Sequence, residues 1–231
     1  MKERLRAILH PFPEAQKADT SLRYTDILFG FVIRELFLRL QNWPGLDIAT
    51  RLHLVAGTVL VLGSWIGYRR SLNRSTYEVK FFNLPLFKFV ADQLMLISYF
   101  QVAVLTPVDG KTAITPEVLA SHTVSLIVQI FVLYLIWDAL GIWMAKSRLS
   151  NSRRRYPVLD GQKPTDKAVV PDWKGFLITA VILAVLVAIR ILEARFLPWG
   201  LLLITIVLLL GYRLLKEIRT SWRSLTPHPT S

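Results

Sequence analysis

The sequence predicts an all-α, polytopic integral membrane protein with six transmembrane helices and both termini cytoplasmic. Of its 231 residues, 53% are hydrophobic. They gather in runs of about 20, the length at which a helix crosses a hydrocarbon layer ~30 Å thick. Lys and Arg fall mostly between those runs. With the amino terminus inside, the inner segments 1–23, 69–80, 146–174 and 211–231 hold 21 of the 28 Lys and Arg residues. The outer side holds only Arg39, Arg51, Lys111 and Arg195. That asymmetry sets the orientation and requires an even number of spans.

The six runs are expected at 22–40, 52–68, 82–106, 118–145, 174–194 and 198–216. The first is the least apolar. The fifth and sixth are almost pure Ala, Val, Ile and Leu, and the turn Phe196-Leu197-Pro198-Trp199-Gly200 makes them a helical hairpin. Gln41-Asn42-Trp43-Pro44-Gly45 is an outer turn, with Trp43 placed as an interfacial anchor. Lys146–Lys174 is the one long connection and carries Arg153, Arg154 and Arg155. It reads either as a solvated linker on acidic headgroups or as a docking site for a cytoplasmic partner. Arg69 and Arg70 end the second run in the same way. Tyr212 to Arg219 is expected to continue the last helix into the cytoplasm. The chain thus divides into an N-terminal cytoplasmic segment (1–21), a six-helix membrane domain (22–217) and a flexible tail (218–231).

A net charge of +12 would suggest nucleic acid in a soluble protein. Here the cations flank apolar runs, so anionic lipid headgroups are the expected partner and nucleic acid is not. No cysteine is present, which excludes disulfides and thiol chemistry. The four histidines are scattered and form no metal-ligand spacing, and no nucleophile elbow or phosphate loop occurs. No cofactor or metal is implied. His53 and His122, near outer helix ends, are read as interfacial residues. An intramembrane enzyme stays open, since buried acids can do chemistry, but nothing names a reaction.

The charges inside the runs are the informative feature. Each costs roughly 2.5–3.5 kcal/mol at the centre of a membrane helix. Asp26, Lys88, Asp92 and Asp138 fall in the inner half, on three different helices. Lys88 and Asp92 are four apart, on one helix face, and can pair. Arg34 and Glu35 in the first run, with Arg190 and Glu193 in the fifth, form an outer group. Such residues mark an ion path or a buried structural network. Both readings stand for the inner cluster. Glu35 is read either as a pathway residue or as the partner of Arg34 or Arg190. Neighbours on a helix point about 100° apart, so Arg34 and Glu35 cannot both face one narrow path.

Tyr24-Thr25-Asp26, followed by Leu28-Phe29-Gly30-Phe31-Val32-Ile33, resembles the Phe-Ser-Asp signature and apolar run of the transmembrane protein 175 family of potassium-permeable channels. Trp65-Ile66-Gly67-Tyr68-Arg69-Arg70 looks like that family's Trp-x-Asn-His-His-Arg ending without its histidines. Together the two matches cover about 30 residues of the first two spans. The resemblance implies a homo-oligomer in a bacterial-type inner membrane, with a monovalent cation passing beside the first helix. The lining positions carried over are Phe31, Glu35 and Leu38. A glutamate there departs from the family's hydrophobic constriction and makes the ring charged. The expected function is therefore a cation channel or ion-translocating protein. The alternative is a non-conducting signalling, defence or scaffold component that receives a cytoplasmic partner on its basic loops.

Overall fold

The computed structural model describes residues 14–72, 84–107, 114–155 and 172–225. They form six α-helices and no strand: α1 (Glu14–Leu40), α2 (Ile48–Leu72), α3 (Leu84–Val104), α4 (Pro116–Arg155), α5 (Trp173–Ile191) and α6 (Pro198–Leu225). Five of these are long and apolar enough to cross a membrane: Ile48–Arg69, Leu86–Val104, Pro116–Ser147, Trp173–Ile191 and Pro198–Arg219. The helix outside that set is α1, which is long but charged. The outward faces are apolar as well. Phe87, Leu94 and Ile97 on α3, Leu177 and Val181 on α5, and Leu203 and Val207 on α6 are all exposed. An apolar exterior over helices that satisfy their own backbone is the build of an integral membrane protein.

Several ends lie beyond the expected boundaries. α1 begins at Glu14, directly after Pro13, so much of the segment expected to precede the first span is helix. α4 runs on to Arg155, placing Arg153, Arg154 and Arg155 in its last turn rather than in a linker. No Pro or Gly interrupts Lys146–Arg155, and Pro157 then disfavours helix at the residue before it. α6 runs to Leu225, into the stretch read as a tail. The remainder of the long connection and residues 226–231 lie outside the described residues, as do residues 108–113.

Turn chemistry sets the connections. Trp43-Pro44-Gly45 forms a 3-10 turn. Asp47 then caps α2, accepting from the Thr50 amide at 3.0 Å and its hydroxyl at 2.5 Å. Among the groups outside the apolar stretches, burial pushes the Asp47 carboxyl up. The hydrogen bonds from Thr50 and the Ala49 amide outweigh it and leave the pKa below the usual carboxylate value. Asp172 caps α5 through the Gly175 amide at 3.0 Å.

α2 and α4 lie at the centre and touch each other. α1 packs on α2 and α3, α5 packs on α4 and α6, and α6 closes against α2. The core between them is filled by Leu54, Leu60, Ile127, Ile130, Phe131 and Leu186, all fully buried or nearly so. The start of α1 and the end of α6 both meet the end of α2, so they share one end of the bundle. That is the near end, and the other is the far end.

Candidate functional site

The near end is polar inside. A cavity of about 850 Å³ opens there between α1, α2, α3, α4 and α6. Its most unusual side chain is Arg213 of α6. A Cβ on Gly63 would stand 2.6 Å from Arg213 Nε, and one on Gly67 2.8 Å from its Nη1. Two bare positions one turn apart on α2 therefore form the bed on which the guanidinium lies. Arg213 Nη2 donates to Ser64 Oγ at 2.7 Å and to the Tyr134 hydroxyl at 3.3 Å. Tyr134 in turn bonds Ser64, and the Tyr99 hydroxyl at 2.7 Å. Tyr134 and Tyr212 stack with centroids 6.1 Å apart.

A second chain of contacts fixes α5 and α6 on α4. Asp138 Oδ2 accepts from the Thr179 hydroxyl at 2.7 Å and faces Lys216 Nζ at 3.4 Å. Arg219 pairs with the α5 cap Asp172, over Gly175, where a side chain would collide with the guanidinium. Lys88 is buried with its ammonium 3.9 Å from the centre of the Trp137 ring. Asp92 is buried on the cavity wall.

The α1–α2 seam closes the same end. Asp26 accepts from Trp65 Nε1 at 2.8 Å and pairs with Arg69 at 3.2 Å. The Thr25 and Tyr68 hydroxyls meet at 3.2 Å. The two segments that carry the family resemblance thus touch each other residue by residue. Arg69, read from sequence as facing lipid or a partner, pairs with Asp26 and lies 5.5 Å over the Trp65 ring while 54% of its side chain stays exposed. The side chains of Arg70, Arg153, Arg154 and Arg155 lie outside the described set.

In the far half of the bundle, from mid-depth outwards, the outer charges form two separate groups. Glu35 pairs with Arg34 at 3.1 Å and with Arg39 at 2.9 Å, not with Arg190. Arg39 is buried and donates from Nε to the Thr106 carbonyl at 2.5 Å, tying α1 to the end of α3. Arg190 pairs with Glu193, one turn on, and donates to Ser125 at 2.8 Å. Their interhelical contacts go to different helices, because α1 packs on α2 and α3 whereas α5 packs on α4. A shallow pocket of about 710 Å³ lies beside Arg190, lined by Gln101, His122 and Gln129 among others. His53, read as interfacial, is fully buried between Thr123 Oγ1 at 2.8 Å and the Val102 carbonyl at 3.1 Å.

Sequence reading therefore located Asp26, Lys88, Asp92 and Asp138 at one end, and the structure brings all four there. It missed Arg213, Ser64, Tyr99, Tyr134, Tyr212, Thr179 and Lys216. The signals available were the Gly63-x-x-x-Gly67 spacing and the Arg213, Lys216, Arg219 stripe at three-residue intervals. Of the proposed lining positions, Phe31 is 58% exposed, while Glu35 and Leu38 are half-buried. Among the described residues no group of three or more His, Asp and Glu could hold a metal ion. Comparison with protein-family profiles, curated proteins and solved structures finds no match for the chain.

Proposed function

We propose that the protein is a cation-conducting membrane oligomer in which α1 lines a path between protomers, with the near end facing the cytoplasm. The observation that carries this reading is Arg34. Leu36 packs on Gly57, midway along the apolar stretch Ile48–Arg69 of α2. Arg34, half a turn away, is therefore near mid-depth, and its side chain is 66% exposed. An arginine facing lipid at that depth is costly. Its face continues through Tyr24, Ile27 and Phe31, which are also exposed, at helical spacing. Covering that face with α1 of other protomers removes the cost and puts a polar group beside an axis.

The interior of one protomer supports the same choice. Ile130 and Phe131 are fully buried on α4, between the residues that line the near cavity and the far pocket. An ion path thus fits the space between protomers better than the protomer core. The resemblance in Tyr24-Thr25-Asp26 agrees with that placement. The basic near end supports the cytoplasmic orientation.

The test is potassium flux into liposomes holding purified protein, beside its mass in mild detergent. A symmetric oligomer that passes potassium, with flux altered by Phe31→Ser, is expected. A monomer that passes no ion at any voltage or pH overturns the reading.

A further inference from the structure

We infer that the near-end cavity is a binding site for an amphiphile with an anionic headgroup and an acyl tail, held by Arg213. The cavity's volume of about 850 Å³ is in the range of ligand sites, ~300–1,000 Å³. Its walls divide by chemistry. Phe29, Met95, Leu96 and Val207 make an apolar side, and Arg213 with its hydroxyl partners makes the other.

The cations on the lining are not equivalent. Lys216 faces Asp138 and Arg219 faces Asp172. Arg213, among the described residues, bonds only the neutral hydroxyls of Ser64 and Tyr134 and lies beside the Tyr134 and Tyr212 rings at 5.9 and 5.6 Å. A partly buried guanidinium with hydroxyls alone for partners lacks the countercharge that such a group requires. Its planar fork suits a carboxylate or phosphate. Asp92, with Met95 and Leu96, lines the α3 wall, and Glu217 lies one turn beyond Arg213.

The mouth supplies the second half of the argument. Ile66, Leu210 and Leu214 line the cavity and are exposed on the apolar exterior of α2 and α6. Entry is therefore from the surface that lipid covers, and the occupant needs a tail that can lie along those residues. A soluble anion would satisfy Arg213 and leave the apolar wall unfilled. A lipid or fatty acid satisfies both.

The experiment uses the full chain in detergent, read by native mass spectrometry and by melting temperature. The probes are phosphatidylglycerol, oleate, phosphatidylcholine, an alkyl ammonium amphiphile and inorganic phosphate. One phosphatidylglycerol or oleate per protomer is expected, and whichever is retained identifies the source of the head. Arg213→Gln should weaken retention on the order of tenfold, the equivalent of one charge-assisted hydrogen bond, and Arg213→Lys less. Leu210→Trp, which fills the mouth without touching the Arg213 contacts, should lose binding with the unliganded melting temperature unchanged. That variant keeps the test valid if Arg213→Gln fails to fold. Equal retention by Leu210→Trp, stabilisation by inorganic phosphate alone, or preference for the ammonium or phosphatidylcholine overturns the inference.

Discussion

A Cβ on Gly63 would come within 2.6 Å of Arg213 Nε, so the missing side chain on α2 is what allows the α6 guanidinium into the bundle. The contact is with the stem as well as the head, since Arg213 Cδ and Cγ lie at 3.1 and 3.2 Å from the same point. At Gly67 the close approach is by Nη1, the far end of a flexible chain.

Gly63→Ala should therefore expel Arg213 from Ser64 and Tyr134, whereas Gly67→Ala should be nearly neutral. Overpacking of this kind costs about 1–3 kcal/mol, which outweighs the helix-propensity gain of about 1 kcal/mol. With Arg213→Met in the background, the cost of Gly63→Ala should fall by more than half, as expected of residues in contact. Melting in detergent of the four proteins of that cycle measures it. Additive costs would show that the two residues are not coupled.

Asp26 joins two segments that are distant in sequence and adjacent in space. Asp26→Asn keeps an acceptor for Trp65 Nε1 and loses the Arg69 pair, which is half-exposed and so worth little. Asp26→Ala loses both and leaves the indole N–H without its partner, at about 1–3 kcal/mol. The expected order of melting temperature is wild type, then Asp26→Asn close behind, then Asp26→Ala well below. Trp65 emission should change only in the alanine variant. A change of equal size in both would place the weight on the ion pair.

The helices were legible in the sequence because length and hydropathy need no knowledge of neighbours; five of the six runs are apolar enough to span, and the charged first run is not. The helix ends were not. Residues 14–21, 146–155 and 220–225 are polar continuations, and extending a helix that is already nucleated costs far less than starting one. Partners were legible only where they lie along one helix. The neighbouring Arg34 and Glu35 follow from spacing, but Arg39, at the end of the first run, was counted only among the outer-side cations, although it lies four residues beyond Glu35. His53 looked interfacial because nothing in its own segment announces Thr123, 70 residues away. Arg213 was counted among the inner-side cations because it follows the almost purely apolar stretch Leu201 to Leu210. Its burial depends on Gly63 and Gly67, which belong to another helix.

Asp47 gives a pH dependence that can be worked out in sign. Hydrogen bonds from Thr50 and the Ala49 amide outweigh burial and hold its folded pKa below the unfolded value. Its contribution is thus fully present above the unfolded pKa of about 3.9 and is lost as pH falls through the lower folded value. Asp47→Ala should cost about 1 kcal/mol at neutral pH, the usual worth of a helix cap. The gap between wild type and Asp47→Ala should narrow below pH ~4, measured by melting over a pH series. A gap that widens on acidification would contradict the cap assignment.

Glu35 connects stability to transport. Its carboxylate bridges exposed Arg34 and buried Arg39, and Arg39 reaches on to the Thr106 carbonyl. Glu35→Gln keeps one acceptor but removes the charge that both guanidiniums face. Stability should fall by about 1.5–3 kcal/mol, the range for hydrogen bonds to charged groups. Arg34→Gln, which removes the exposed partner alone, should change melting little, because Glu35 keeps its pair with buried Arg39. The two substitutions diverge in flux if α1 lines the path. Glu35→Gln leaves Arg34 uncompensated beside the axis and should suppress cation flux, while Arg34→Gln leaves a ring of Glu35 carboxylates and should raise it. Liposome potassium flux, normalised to reconstituted oligomer, separates this electrostatic effect from loss of folded protein. Should both variants lower flux only in proportion to the protein that stays assembled, Arg34 and Glu35 belong to the scaffold, and α1 does not border the path.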